Sequence, residues 1–348
     1  MRKKWLAVVG ALLVLAAGCG KGGQEPIPTA PTPTASLSPQ QTSTPNPVWP
    51  HTYPLTGLGT DREVNQRPIV VMVENSPKAR PQSGLDKADM VYEVLAEGEI
   101  TRFVAVYQSQ EAETIGPVRS LRPYFAEIAE GLDGVIVHAG WSQDAINLVN
   151  ARKLDHFDQV YGDDKYYWRS NERKAPHNLY TSIAKIQQGM QDKKMRTEWK
   201  TVTPLFVKAE ETAAAKGGDA GLSVANQVTI PYIHGYEVQY SYEAEKQLYL
   251  RTMAGEPHLD KETGEQLSAS NLLIIETKHR ILDSEGRRAV DVHGPGNGYL
   301  LQQGYGRSIT WENQNGMIRA YADGKEVPLI PGQTWVQIVP DLGKVHFE

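Results

Sequence analysis

The chain has one cysteine in 348 residues, so no disulfide can form within it and no thiol pair is present for metal or redox chemistry. No apolar run reaches the roughly 20 residues that a membrane helix needs. There is no P-loop, no dinucleotide-binding glycine fingerprint, no Gly-x-Ser-x-Gly elbow and no His-Glu-x-x-His helix, which sets aside the familiar nucleotide, serine-hydrolase and zinc-protease designs. The nine histidines are scattered without ligand spacing, so neither a metal nor a cofactor is expected. A basic excess is missing as well: 36 Lys and Arg face 41 Asp and Glu, a net charge of −5, which makes nucleic acid a poor partner.

What is present begins with the position of that cysteine. Arg2, Lys3 and Lys4 form a basic start, Trp5 to Leu15 an apolar stretch, and Ala16, Ala17 and Gly18 the small residues a signal peptidase requires. Cys19 follows at once, in the pattern of a bacterial lipobox, although Ala16 stands where Leu is usual and Leu15 lies one place further back. Residues 1–18 are therefore read as a lipoprotein signal peptide and Cys19 as the site of a diacylglycerol thioether. The expected location is the extracytoplasmic face of the cell membrane, with the membrane itself a partner through the lipid. Two or three acyl chains, at about 0.8 kcal/mol per buried methylene, anchor durably where one does not. Cleavage before Cys19 leaves 33 basic against 41 acidic side chains, a net charge of about −8, so anionic lipid adds nothing to that attachment.

Residues 19–50 are built from Pro, Thr, Ser, Gly and Gln and have too little apolar surface to offset chain entropy, which predicts a disordered tether. The composition then becomes globular, and the remaining length exceeds the usual single-core size. Residues 51–208 read as a mixed domain. Pro68 to Glu74, Ala88 to Leu95, Ile100 to Gln108 and Gly134 to His138 are short apolar strands, the second and third forming a hairpin across Glu97-Gly98. Tyr124 to Glu130, Ser142 to Val149 and Thr181 to Gln191 read as helices. A polar, Ala- and Gly-rich stretch from Ala209 to Gly221 suits a boundary. Residues 222–348 carry short alternating strands separated by Asn315-Gly316, Asp323-Gly324 and Pro331-Gly332, an antiparallel pattern. The fold class is thus α/β or α+β, with a mixed first domain followed by a smaller, mainly β one.

Chemistry concentrates in the first region. Gly116 to Pro123 sets Arg119 and Arg122 in a Gly- and Pro-framed loop, and the segment from Arg169 through Arg173 to His177 and Asn178 repeats the device. Guanidinium forks match carboxylate or phosphate oxygens in pairs, and loops at strand ends are where α/β proteins build sites. An anionic ligand follows, gripped by Arg102, Arg119, Arg122, Arg169, Arg173, His177 and Asn178, with His138 and Trp141 beside it. The competing reading is that these arginines form internal bridges to Glu93, Glu97 and Glu99. Glu97, in a turn between two apolar strands, is the candidate proton donor, because partial burial would raise its pKa. Glu93 or Asp144 would be its second carboxylate. A solvated turn glutamate and a core His138 are the plainer alternatives. His293 to Gly298 reads as turn chemistry, and Tyr240, Tyr242, Tyr249, Trp311 and Trp335 as core or sheet-face residues.

The stretches VENSPKARPQSGLDKADMVYEVLAEGEITRFVAVYQSQ, IGPVRSLRPYF, HAG, RKAPHNLY and GKEVPLIPGQTWVQIVP resemble the YerB-type lipoproteins of Firmicutes. The resemblance runs from about Tyr53 to Pro340 and implies a two-domain division and an envelope location. It implies no catalytic residues. Location and site together give an expectation of action at the cell wall, either cleaving or remodelling peptidoglycan glycan with Glu97 as acid, or binding wall-synthesis or sporulation proteins without catalysis. A solute receptor for a transporter fits less well, because the second region is too rich in β.

Overall fold

The computed structural model describes residues 49–200, 222–232, 237–314 and 316–348. The expected signal peptide, Cys19, the tether up to residue 48 and the 209–221 stretch lie outside the described residues.

Strands β1 (Ile69–Glu74), β2 (Met90–Leu95) and β3 (Thr101–Tyr107) come from the first apolar runs. The β2–β3 hairpin is antiparallel, with Glu93 opposite Phe103. Helix α1 (Pro123–Gly131), strand β4 (Val135–His138), helix α2 (Gln143–Arg152), strand β5 (His156–Asp158) and helix α3 (Ile183–Asp192) follow. Helix α3 starts where its sequence predicts, because the Ser182 hydroxyl accepts from Lys185 N–H at 3.2 Å and satisfies one free end of the helix.

Three strands of the second region, β6 (Gln227–Pro231), β7 (Glu237–Glu243) and β8 (Leu248–Met253), make an antiparallel sheet of their own, with short strands at its margins. The hairpin β10 (His279–Ile281) and β11 (Arg288–Val290) stands apart from both large sheets. The others, β9 (Asn271–Glu276), β12 (Gly296–Gln302), β13 (Tyr305–Gln314), β14 (Met317–Ala322) and β15 (Thr334–Val339), join the main sheet in the order β14-β13-β12-β9-β15-β2-β3-β1-β4-β5. The central sheet is therefore made by both regions. Strand β15 is parallel to both of its neighbours, β9 and β2. The expected mixed first region and mainly antiparallel second region are both present, and strands dominate throughout.

Alternation along the strands decides what covers each face. Val70, Met72, Tyr92, Val94, Val104 and Val106 point to α1 and α2, meeting Phe125, Ile128, Leu132 and Val149. Val71, Val73, Val91, Phe103 and Ala105 point the other way, to Ile186 of α3 and to Val228, Val238 and Tyr240 of the smaller sheet. Each such fully buried side chain contributes about 1.5–3 kcal/mol relative to exposure. Tyr240, Tyr249, Trp311 and Trp335 are all buried core residues.

One strand contradicts the turn reading. Asn297-Gly298 lies inside β12, because a Cβ on Gly298 would sit 2.5 Å from Ile274 O and one on Gly296 would sit 2.5 Å from the Trp311 ring nitrogen. These glycines are small to let a strand pass closely, not to bend it.

Candidate functional site

Strands β1, β2, β4 and β5 run in one direction, so Glu74, Leu95, His138 and Asp158 all end at the same sheet edge, where β3 begins with Thr101 and Arg102. Ligands of α/β sheets characteristically bind outside such carboxyl ends. The arginine-bearing loop crosses this edge and is pinned on three sides. Arg119 N–H donates to Met72 O at 2.9 Å, Val118 N–H to Leu179 O at 2.7 Å, and Leu121 N–H to Gly140 O at 3.0 Å.

Glu97 is clamped between Arg102 and Arg122, each donating to one of its carboxylate oxygens. The β10–β11 hairpin closes over the turn, with Arg288 donating to Gly98 O at 2.8 Å. Burial alone would raise the Glu97 pKa, but the two guanidiniums outweigh it and hold the carboxyl below its usual range. The environment expected of a proton donor is thus reversed, because the turn that buries Glu97 also supplies two cations. Burial pushes Arg102 down to about 10, with Glu97 opposing the shift and Arg122 and Arg119 reinforcing it, so Arg102 stays charged at neutral pH. Neither candidate second carboxylate faces Glu97: Asp144 is exposed on α2, and Glu93 is paired on the opposite face of the sheet.

Arg119 is placed differently. Its Nη2 lies 3.2 Å from Glu74 Oε1, which also accepts from the Ser76 hydroxyl at 2.7 Å and from His177 Nδ1 at 2.9 Å. Because a carboxylate only accepts, the His177 proton sits on Nδ1, and Nε2 is left as the outer nitrogen. Glu74 is 3 % exposed, its Oε2 has no partner among the described residues, and neither has Arg119 Nε. Glu74 was not legible as a site residue, since it closes an otherwise apolar run. Its one signal was a carboxylate at the carboxyl end of a parallel strand.

The remaining candidates divide. Arg173 donates to Tyr180 Oη at 2.9 Å and reaches Pro81 O. Arg169 is exposed and is held by Asn178 Oδ1 at 2.9 Å, while Asn178 donates to Ser170 O. Arg102 and Arg122 meet at Glu97, Arg119 and His177 meet at Glu74, and the two groups adjoin where Arg102 donates to the carbonyl of Ser120, the chain neighbour of Arg119. His138 is fully buried and cannot itself touch a ligand, which corrects its reading as a binding residue. Trp141 is half-buried and stacks on the exposed Tyr161.

A second charged cluster lies on the sheet's other face. Glu93 and Arg251, both 0 % exposed, pair at 2.8 Å. Glu93 also accepts from Asn75 and Thr101, at 3.1 and 2.8 Å. Arg251 donates to Tyr240 Oη at 2.7 Å and to His258 Nδ1 at 3.0 Å, and packs 4.7 Å over the Trp335 ring. His258 in turn donates from Nε2 to Gln82 Oε1 at 2.7 Å. Burial, reinforced by the adjacent Arg251, holds His258 neutral. No group of three metal-ligating side chains occurs among the described residues.

The division into an N-terminal mixed region and a C-terminal β region corresponds to two matches with known family models. Residues 55–196 match the N-terminal domain of the protein family of unknown function DUF3048, and residues 228–336 match its C-terminal domain. The chain belongs to that family. A Bacillus subtilis (strain 168) relative named "Putative lipoprotein YerB" is 41% identical over 295 residues, covering 83% of this chain and 86% of the relative. The crystal structure of the YerB protein from Bacillus subtilis matches with a TM-score of 0.78 at 38% identity, over 86% of this chain and 99% of that one. This kinship places the chain among lipoproteins of the YerB type. None of its described helices is long and apolar enough to cross a membrane.

Proposed function

We propose that this is a lipid-anchored, extracytoplasmic binding protein whose strand-edge patch takes an anionic group of the cell-wall polymer, with Arg119 and His177 as the residues that meet it. The observation that carries this reading is the difference between the arginines. Arg102 and Arg122 both pair with Glu97, whereas Arg119 makes one contact with Glu74 and keeps 25% of its side chain exposed beside His177. A carboxylate or phosphate would take both in a paired contact. The lowered Glu97 pKa favours binding over glycan cleavage by that residue. One observation favours a hydrolytic role instead: buried Glu74 fixes the His177 tautomer and leaves Nε2 outward, the arrangement of a general base.

The test uses full-length protein in detergent with purified wall sacculi, before and after their anionic polymers are stripped. Wild type co-sediments with the intact sacculi and releases no muropeptides, and Arg119→Gln weakens the association by about 10-fold, the loss of one charge-assisted contact. Equal association with stripped sacculi would remove the anionic-ligand reading. Muropeptide release abolished by His177→Gln would replace it with the hydrolytic one.

A further inference from the structure

Behind the 138–142 loop two histidines fix each other's protons. His138 Nδ1 lies 2.9 Å from Gly140 O, and a carbonyl only accepts, so that nitrogen carries the hydrogen. His138 Nε2 is 3.0 Å from His156 Nδ1 and, in the neutral pair, accepts from it. Both rings are neutral at neutral pH, because burial lowers their pKa values, His138 to about 4. His156 Nε2 therefore remains a bare acceptor.

His156 lines a hollow of about 420 Å³ together with Trp141, Ile146, Asp158, Tyr161 and Lys193. The Trp141 and Tyr161 rings stack with centroids 4.9 Å apart and planes 22° apart, and Tyr161 is 66% exposed. Asp158 is 2% exposed. Its Oδ1 accepts from Gly140 and Val160 N–H at 2.8 and 3.0 Å, while its Oδ2 has no partner among the described residues. Gly140 has φ 71°, a left-handed conformation that L side chains rarely adopt; it lets one residue donate to Asp158 and accept from His138 and Leu121. The lining carries both signs of charge, since Lys193 pairs with Asp163 at 2.6 Å. A strongly ionic ligand is disfavoured there. A ligand with one apolar face and a hydroxyl donor at its rim matches what the walls offer.

We infer that this hollow is a subsite for a neutral pyranose, with the Trp141–Tyr161 pair beside the apolar face of the sugar and His156 Nε2 accepting from one of its hydroxyls. It is a different ligand chemistry from the anion at Arg119, and its lining shares no residue with that contact.

The experiment titrates full-length protein, in a detergent without a sugar headgroup, with neutral tetrasaccharides of N-acetylglucosamine and of glucose, followed by saturation-transfer NMR. Saturable binding of at least one is expected. Tyr161→Ala, at an exposed position that leaves the unfolding transition unchanged, weakens it by about 10-fold, and Arg119→Gln leaves it within about two-fold. Binding of neither sugar by wild type overturns the inference, as does undiminished binding by both Tyr161→Ala and Trp141→Ala. If the sacculus experiment fails while the tetrasaccharide still binds, the anion reading falls and the sugar subsite stands.

Discussion

The Glu93–Arg251 cluster and the Glu74–Arg119–His177 patch use similar residues on opposite faces of one sheet, and they are finished to different degrees. In the first, the carboxylate and the guanidinium are fully buried and meet Asn75, Thr101, Tyr240 and His258. A buried pair of this kind is strongly committed, since removing either partner strands the other in low dielectric. It also ties β2 of the first region to β8 of the second. In the second, Glu74 Oε2 and Arg119 Nε are left without partners, although the loop that holds them is pinned on three sides. Glu93 Oε2 likewise has only its ion pair with Arg251, so the difference that matters is access: the first pair is closed off from solvent, whereas Arg119 keeps 25% of its side chain exposed at the sheet edge.

The sharpest way to break the contrast is at the buried pair. Arg251→Met is expected to cost about 3–5 kcal/mol of unfolding free energy in urea, and pairing it with Glu93→Gln to recover more than half. A loss below about 1 kcal/mol would mean that the pair does not lock the regions together.

Next comes the histidine pair, which is buried like the first cluster yet borders a hollow like the second. The His138 pKa in the fold, about 4, lies below its ordinary 6.5. Between those values the unfolded chain binds the proton and the folded chain does not, so stability falls as pH drops from 6.5 toward 4, by up to roughly 3 kcal/mol. Asp89, pushed up to about 6 by burial, acts in the opposite sense: the fold binds its proton first, and that stability is lost as pH rises from about 4 to 6. The difference between wild type and His138→Gln across pH 4–7 isolates the histidine, and parallel curves would show that it is not buried neutral.

The smallest expected effect is at Glu97. Glu97→Gln loosens two guanidiniums at a cost of about 1–3 kcal/mol, seen in thermal unfolding, and leaves sacculus binding within about two-fold. If binding instead falls as far as in Arg119→Gln, the clamp belongs to the site.

Much of this was legible in the sequence. The first-region strands were readable to within two residues, because apolar runs of strand length are bounded by turn residues. Arg102, Arg119, Arg122, Arg169, Arg173, His177 and Asn178 were readable as candidates because framed loops at strand ends carry them, but which of them meet was not, since that depends on how the loops cross the sheet edge. Strand β12 was hidden, since Gly-Asn-Gly has the composition of a turn and becomes a strand only because Ile274 and Trp311 crowd it. Strand β5, three residues long, carries too little periodicity to detect. The sense of the Glu97 shift was unreadable for a related reason: burial can be guessed from flanking strands, but the two cations that reverse its effect arrive from β3 and from a loop further along the chain. The partnership of Glu93 with Arg251 depends on how two sheets pack, which no local pattern records.

Strand β15 sits between β2 and β9 with all six of its residues buried. Without it, β2 and β9 each have an open edge, and the main sheet is split in two. A chain in which β15 is missing or displaced therefore exposes an unfilled seam to passing strands and to proteases.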